Sequence, residues 1–137
     1  MLLGGCCGLS DPQARLRADA GFPEGATELY EVSLQFWERL DRIGHENEIR
    51  FLETIGKFGP IGPDVETYAQ LIKTEQDGYA KWVQIFPYIR ERMSEKSDTI
   101  FYYSSRSSDG ILMVRDGRIK ERIVLNGVGA WTPQKLD

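Results

Sequence analysis

The only histidine of the chain, His45, is the residue that offers general acid–base chemistry. Asp41 lies four residues before it and Glu48 three residues after it, so both carboxylates come within reach if helical geometry continues across this segment. A carboxylate that holds an imidazole in one orientation prepares it to act as a general base. The alternative, which we favour, is a polar residue in a charged joint between two helices.

Other forms of catalysis have little support in the residues. Cys6 and Cys7 are the only cysteines, and adjacent cysteines do not form an ordinary disulfide. They are too few for a structural zinc site, and a nucleophile on a tail is not held against a base. The chain has no nucleophile elbow, phosphate-binding glycine loop or dinucleotide motif. We therefore expect no cofactor and no metal, and we favour a non-enzymatic protein while leaving an enzyme open.

Aromatic and basic residues in the last third of the chain form the candidate binding surface. Tyr102 and Tyr103 are neighbours on a predicted strand, so they point to opposite faces and one should be exposed. Arg118, Lys120 and Arg122 alternate with apolar residues and should share one face of a hairpin. Such a face suits an anion, a nucleic acid or an acidic protein, although it is more often the solvated side of a sheet. The candidate binding residues are Tyr102, Tyr103, Arg106, Arg118, Lys120, Arg122 and Trp131.

The charge of the chain argues against a general nucleic-acid binder. The 137 residues carry a formal net charge of −4. Residues 1–89 hold 8 basic and 14 acidic residues, whereas residues 90–122 hold 8 basic and 6 acidic residues. Binding to nucleic acid requires a concentrated positive surface, but an acidic surface steers a basic protein partner.

The N-terminal segment bears on where the protein resides. No apolar stretch is long enough to span a bilayer. Leu3-Gly4-Gly5-Cys6 has the outline of a lipoprotein cleavage box, but it follows Met1 and Leu2 with no basic or apolar region between, so we expect that it does not act as an export signal. We expect a soluble, cytoplasmic protein, and we expect residues 1–26 to be a flexible tail in which a short helix can form near Pro12.

The segment from Thr27 to Ile43 carries two competing periodicities. Its apolar residues recur at spacings of three and four, as on one face of a helix. From Tyr30 to Phe36, apolar residues also alternate with polar ones, as in a strand. The helical pattern covers more residues, so we predict a helix that is interrupted at Gly44.

Two further helical stretches follow. One is predicted from Glu46 to Ile55, before a glycine- and proline-rich loop over residues 56–63. Asp64 is a good N-cap for the next, amphipathic helix. Gly78 and Pro87 weaken this helix, so we expect a break at one of them and a short helix from Pro87 onward.

The last third of the chain predicts an antiparallel meander. Asp116-Gly117 is the strongest short hairpin signal in the sequence. With a two-residue loop, Val114 should face Ile119, and Leu112 should face Glu121. The predicted strands are Thr99–Ser104, Ile111–Arg115, Arg118–Leu125 and a short one at Trp131.

The sequence as a whole predicts an α+β fold, with N-terminal helices packed on a C-terminal antiparallel β-meander. Residues 27–137 are expected to form a single domain. In size, acidity and its charged C-terminal hairpin, the chain resembles small accessory proteins of bacterial mobile genes, including toxin-neutralising immunity proteins.

Three hypotheses for function follow. The leading one is a non-enzymatic module that binds another protein through a preformed surface. The second is a small-molecule binder or enzyme with a pocket between helices and sheet. The third is a homodimer formed through an aromatic-rich surface.

Overall fold

The structure, a computed structural model, describes residues 12–22, 28–58, 65–106, 108–126 and 129–134. The helices in this part of the chain are α1 (Pro12–Asp19), α2 (Leu34–Phe58), α3 (Val65–Trp82) and α4 (Ile85–Arg92). The strands are β1 (Glu28–Val32), β2 (Asp98–Ser104), β3 (Asp109–Arg115), β4 (Arg118–Leu125) and β5 (Trp131–Gln134). The prediction of an α+β fold with a C-terminal antiparallel meander is confirmed. Over the described ranges, no helix is long and apolar enough to cross a membrane.

The five strands pair in chain order, each antiparallel to the next. Asp116 and Gly117 form the turn between β3 and β4, with φ angles of 53° and 77°. These left-handed angles are what a two-residue turn of type I′ requires, and they explain an aspartate followed by glycine. Val114 faces Ile119, as predicted.

A β-bulge corrects the rest of the predicted register. After the Val114 pair, the next pair is Met113 with Glu121, so Lys120 is an extra residue in β4. Leu112 then faces Arg122 rather than Glu121, and the predicted pair is wrong. A shift of one residue moves every later side chain of β4 to the other face.

Both faces of the sheet are covered, each by its own apolar cluster. Helix α4 covers one face, and its Ile85, Phe86 and Ile89 are each 0% exposed. The strands contribute Ile100, Ile111, Met113 and Ile123 to this cluster. On the other face, Leu16 of α1 is 2% exposed. It packs with Leu29, Tyr103, Leu112 and Val114.

Helix α1 lies inside the segment predicted to be a tail, where it packs against the sheet. Residues 1–11 and 23–27 lie outside the described residues, so flexibility stays a prediction for residues 1–11 and 23–26 of the tail. The possible cleavage box around Cys6 and most of the glycine- and proline-rich loop also lie outside them.

Strand β1 occupies residues 28–32, where we predicted a helix, and that prediction is wrong. Leu29 is 4% exposed and pairs with Tyr103 of β2, so the ladder and the core decide the conformation of this segment. Helix α2 begins after Ser33, whose hydroxyl oxygen accepts a hydrogen bond from the backbone N–H of Phe36 at 3.3 Å. A serine in this position is an N-cap, and it marks the start of the helix that the apolar periodicity had placed earlier.

The helix boundaries differ from the prediction at two more places. Helix α2 is continuous through Gly44, so the break predicted there is wrong. A glycine inside a helix lowers helix stability by only about 1 kcal/mol relative to alanine. Contacts with α3 on either side of Gly44 offset this loss. The break expected near Gly78 or Pro87 falls between Trp82 and Ile85. Pro87 then lies in the first turn of α4, where a missing N–H removes no internal hydrogen bond.

Helices α2 and α3 form a hairpin. Its base, where α2 begins and α3 ends, contacts the sheet half of the molecule, which consists of the five strands with α1 and α4. There, the Trp37 ring packs edge-on against Phe86, with centroids 4.8 Å apart, and Arg90 Nη2 lies 2.5 Å from Glu38 Oε1. No residue of α2, whose positions are all described, is buried. Large apolar side chains are instead exposed along the hairpin at Phe36, Leu40, Ile43, Phe51, Phe58 and Leu71.

Candidate functional site

The α2–α3 interface holds the histidine of the chain and two carboxylates. His45 Nδ1 lies 3.0 Å from Glu75 Oε1. The imidazole stacks on the Tyr79 ring, with centroids 3.9 Å apart and planes inclined by 6°. About one turn nearer the base of the hairpin, Trp82 Nε1 donates a hydrogen bond to Asp41 Oδ2 at 2.6 Å. These contacts fix how the two helices face each other.

A groove of about 1060 Å³ lies between the helices above these contacts. Leu40 and Leu52 of α2 and Leu71 of α3 give it apolar walls. At one end it reaches Asp109 and Leu125 of the sheet. Polar groups that line it are Asp41, His45, Glu48, Thr74, Glu75, Tyr79 and Trp82.

Two glycines from helix interiors also line the groove. They are Gly44 of α2 and Gly78 of α3. Among the described residues, a Cβ added to either one would have no atom within 4 Å beyond its chain neighbours and the local helix backbone. Packing within the described part of the chain therefore does not require a glycine at either position, although each lowers helix stability by about 0.5–1 kcal/mol relative to alanine. The missing side chains leave space for another molecule to approach the helix backbones closely.

The lining of the groove is negatively charged. Asp41, Glu48, Glu75 and Asp109 line it, and no lysine or arginine does so among the described residues. Within the same part of the chain, none of the four forms an ion pair with lysine or arginine. Burial raises the pKa of Asp41, while the hydrogen bond from Trp82 opposes the rise. A cation entering the groove would stabilise these charges.

The carboxylate that binds His45 is not one that the sequence suggested. Asp41 and Glu48 were expected to be within its reach, but the partner is Glu75 on the next helix. Spacing within one helix does not reveal a partner across a hairpin. Burial raises the pKa of Tyr79, so its phenol is protonated at neutral pH. No cluster of His, Cys, Asp and Glu able to hold a metal ion occurs among the described residues.

The basic residues of β4 lie on both faces of the sheet. Arg122 Nε donates a hydrogen bond to Tyr103 Oη at 2.9 Å, under the α1 side. Lys120 Nζ donates to the Arg92 carbonyl at 3.2 Å, on the α4 side. The prediction that Arg118, Lys120 and Arg122 share one face is therefore wrong. Its cause is the bulge at Lys120, which reverses the faces of the residues that follow.

The other candidate binding residues are also dispersed. Tyr102 and Tyr103 point to opposite faces as predicted, but neither is exposed, because Tyr103 is 0% exposed and Tyr102 is half-buried. Trp131 is half-buried on the edge strand β5, while Arg106 and Arg118 are exposed in separate places. These residues do not form one surface, and a binding role for any of them stays a prediction.

A second polar cluster lies beneath α4 and is fully paired. Glu121 is 8% exposed and accepts a hydrogen bond from the Tyr88 hydroxyl. The Arg92 guanidinium lies 3.5 Å from the centroid of the Tyr88 ring, and its Nε is 3.6 Å from Glu121 Oε2. Burial and the Glu121 carboxylate raise the pKa of Tyr88 to about 12. Each group has its partner inside the chain, so this cluster stabilises the fold rather than awaiting a ligand.

Sequence reasoning missed Glu75, Gly78 and Trp82 as residues of the site. The sequence does contain one usable indication, because Glu75 interrupts the apolar face of α3 just as His45 interrupts that of α2. Polar residues on the apolar faces of two consecutive helices suggest a polar contact or a lined groove between them.

No family model, curated protein or solved structure matches the chain. Its function must therefore be inferred from the groove and its surroundings.

Proposed function

We propose that this protein is a non-enzymatic binding module that holds a basic, amphipathic helix of another protein in the α2–α3 groove. The observation that carries the proposal is one surface that combines apolar walls, helix-interior glycines and carboxylates without a lysine or arginine partner among the described residues. A small acidic protein that occupies a basic surface of another protein would act as an accessory protein of the immunity type.

The apolar walls would supply the affinity. Leu40 is 51% exposed and Leu71 is 44% exposed, on opposite sides of the groove. Exposed apolar patches rimmed by polar residues are typical of interaction surfaces in proteins that are otherwise well packed. A helix that lays its apolar face into such a groove is a common mode of protein recognition.

The carboxylates would select the partner's charge. A lysine or arginine on the docked helix would meet Asp41, Glu48 or Glu75, which have no lysine or arginine partner in the described chain. Such complementarity raises the association rate and disfavours acidic helices. The excess of acidic over basic residues in residues 1–89 extends the negative electrostatic potential beyond the groove.

Gly44 and Gly78 would set how closely the partner approaches. The distance between two packed helices depends on the side chains at their contact, so a glycine permits the shortest separation. Both glycines line the same groove, one on each helix. This arrangement suits an elongated occupant that contacts both helices.

A small-molecule binder is the second candidate, and the His45–Glu75 pair favours it. An imidazole held by a carboxylate, next to a protonated phenol and a carboxyl with a raised pKa, could orient a small cationic ligand. The groove is open along the hairpin, however, and small-molecule sites enclose most of their ligand. The open shape favours a helix as the occupant.

The test is binding of a fluorescent helical peptide of leucine and lysine, compared with a peptide in which glutamate replaces lysine. We expect the lysine peptide to bind, with an affinity that falls as salt is added, and the glutamate peptide not to bind. Leu71→Lys should weaken binding at least about tenfold, because it removes an apolar wall and adds a repelling charge. Gln70→Lys is the matched control, since it adds the same charge at an exposed position outside the groove.

Two results would overturn the proposal. One is equal binding of the two peptides, and the other is equal weakening by Leu71→Lys and Gln70→Lys. A photo-crosslinker placed at residue 71 and, separately, at residue 70 would make the same comparison of a groove position with an outside position, using proteins of the native cell as the binding partners. Saturable stabilisation by a small cation that is lost in Glu75→Gln would instead support the second candidate.

A further inference from the structure

The outer side of α2, away from α3, carries a second apolar surface. It consists of Phe36 (57% exposed), Leu40 (51%), Ile43 (44%), Phe51 (57%) and Phe58 (75%), which we call the outer stripe. At 100° per residue, these side chains all project within about 40° of the direction of Asn47. Apart from Leu40, none of them lines the groove. A stripe of this kind on a 25-residue helix is typical of a helix that packs against another helix.

The stripe is symmetric in sequence about Asn47. Ile43 and Phe51 lie four residues on either side of it, and Phe36 and Phe58 lie eleven residues on either side. Between them, Leu40 matches Thr54 at seven residues. A two-fold axis through Asn47 would therefore bring Ile43 and Phe36 opposite Phe51 and Phe58 of a second copy, and Leu40 opposite Thr54.

We propose that α2 pairs in antiparallel orientation with α2 of a second copy, around a two-fold axis at Asn47. The inference goes beyond the proposed function, because it concerns the outer side of α2; Leu40 and Gly44 border both this side and the groove. In this pair Ile43 contacts Phe51, and Phe36 contacts Phe58, each across the axis. The two Asn47 amides meet at the axis, where a polar residue in an apolar seam fixes the register of a helix pair.

Charges beside the stripe select the antiparallel orientation. Arg39, Glu46, Arg50 and Glu53 follow one edge of it. In the antiparallel pair, Arg39 comes within about 3 Å of the height of Glu53 of the second copy, and Glu46 likewise meets Arg50. None of these four residues forms an ion pair within the described chain. In a parallel pair, this charged edge would instead face the edge that carries Gly44, Glu48 and Ile55, where Glu46 and Glu53 would meet no cation.

Gly44 completes the seam. A side chain that projects between two paired helices fits into a hole formed by four residues of the facing helix. For Phe51 of the second copy, that hole is formed by Leu40, Ile43, Gly44 and Asn47. Since a Cβ at Gly44 would meet no atom of another described segment within 4 Å, the hole has space for the large ring.

The exposed area of the stripe sets the strength of the pair. At about 200 Å² for a fully exposed large side chain, the five residues would bury on the order of 500 Å² per copy. The total of about 1,000 Å² lies at the lower limit for a specific interface, so we expect a weak dimer with a dissociation constant on the order of 10 µM. Sedimentation velocity should therefore show mainly a monomer at about 1 µM chain and mainly a dimer at about 200 µM chain, because these concentrations lie below and above the dissociation constant.

The decisive experiment is disulfide formation between single cysteines in the full chain, with Cys6→Ser and Cys7→Ser as the background. Asn47→Cys should crosslink two copies, whereas Thr54→Cys should not, because two residues 54 lie about 21 Å apart in the antiparallel pair. Crosslinking at both positions would show a parallel pair and overturn the inference. Absence of crosslinking at Asn47→Cys, with a monomer at all concentrations, would overturn it as well.

Two variants separate this inference from the proposed function. Ile43→Glu should abolish the dimer while leaving the helical circular dichroism and the binding of the lysine peptide intact, because Ile43 does not line the groove. Leu71→Lys should do the opposite, losing the peptide while keeping the dimer. If Ile43→Glu left the dimer unchanged, the outer stripe would not be its interface.

Discussion

Side chains of the same type have different environments in the sheet half of the molecule and in the α2–α3 hairpin. Phe86 beneath the sheet is 0% exposed, while Phe51 on the hairpin is 57% exposed. Glu121 and Asp98 in the sheet half have arginine partners, while Asp41, Glu48 and Glu75 in the hairpin have none in the described chain. In the sheet half, these side chains are buried or paired within the chain. The hairpin leaves apolar and acidic side chains accessible to a binding partner.

This difference separates stability from recognition. Burial of large apolar side chains contributes about 1.5–3 kcal/mol each, and paired polar groups avoid the cost of desolvation. Both conditions are met where α4 covers the sheet. The hairpin instead leaves large apolar side chains exposed along most of its length, and its groove carboxylates have no lysine or arginine partner in the described chain. Surfaces of this kind are stabilised by what they bind.

The largest contrast is expected from the same substitution in the two halves. Phe86→Ala should lower the free energy of unfolding by about 3–5 kcal/mol, because it leaves a cavity in the core. Phe51→Ala should change it by less than about 0.5 kcal/mol. Urea denaturation near 1 µM, about where the monomer dominates, would measure both values. Equal losses would show that the hairpin is part of the core.

Two glycines should respond to alanine with opposite signs. A Cβ at Gly110 of β3 would overlap the Ile123 carbonyl oxygen and the Tyr103 ring, so Gly110→Ala should destabilise the fold by about 3 kcal/mol. Gly44→Ala should stabilise it by about 0.5–1 kcal/mol, since the new methyl group meets open space. Thermal unfolding of both variants checks the signs. Destabilisation by Gly44→Ala would contradict the assignment of open space above α2.

A smaller effect, which is present at neutral pH and lost in acid, should come from the sheet half. Arg115 donates hydrogen bonds to both carboxylate oxygens of Asp98, at 2.6 and 2.9 Å, and this lowers the pKa of Asp98 to about 2. A pKa that is lowered on folding stabilises the fold above the unfolded value of about 3.9, and this stability is lost as the pH falls through about 2. Asp98→Asn should therefore be less stable than the wild type at pH 7, with the gap closing between about pH 4 and 2.

The control for this pH dependence is Asp116→Asn, at an exposed position in the neighbouring turn. It should retain the wild-type loss of stability in acid when urea denaturation is followed from pH 7 downward. A wild-type slope in Asp98→Asn itself would mean that the Arg115 pair does not control acid unfolding.

The fold class and the meander could be predicted from the sequence, because Asp116-Gly117 and the strand composition are local signals. The start of the helical part could not, since Leu29 fits a strand or a helix until the pairing of β1 with β2 decides. The bulge at Lys120 depends on cross-strand packing, and it invalidated the predicted basic face. The groove was missed for the same reason, because His45 and Glu75 lie thirty residues apart and meet only when α2 and α3 pair.

Hydrogen exchange with and without the leucine–lysine peptide tests the division between the two halves most directly. In the free monomer, amides of β3 should exchange most slowly, and those of α2 beyond residue 40 should exchange much faster. The peptide should slow exchange in α2 and α3 and leave β2, β3 and β4 unchanged. Protection of α2 equal to that of β3 in the free protein, or slowing by the peptide in the sheet rather than the hairpin, would contradict the account.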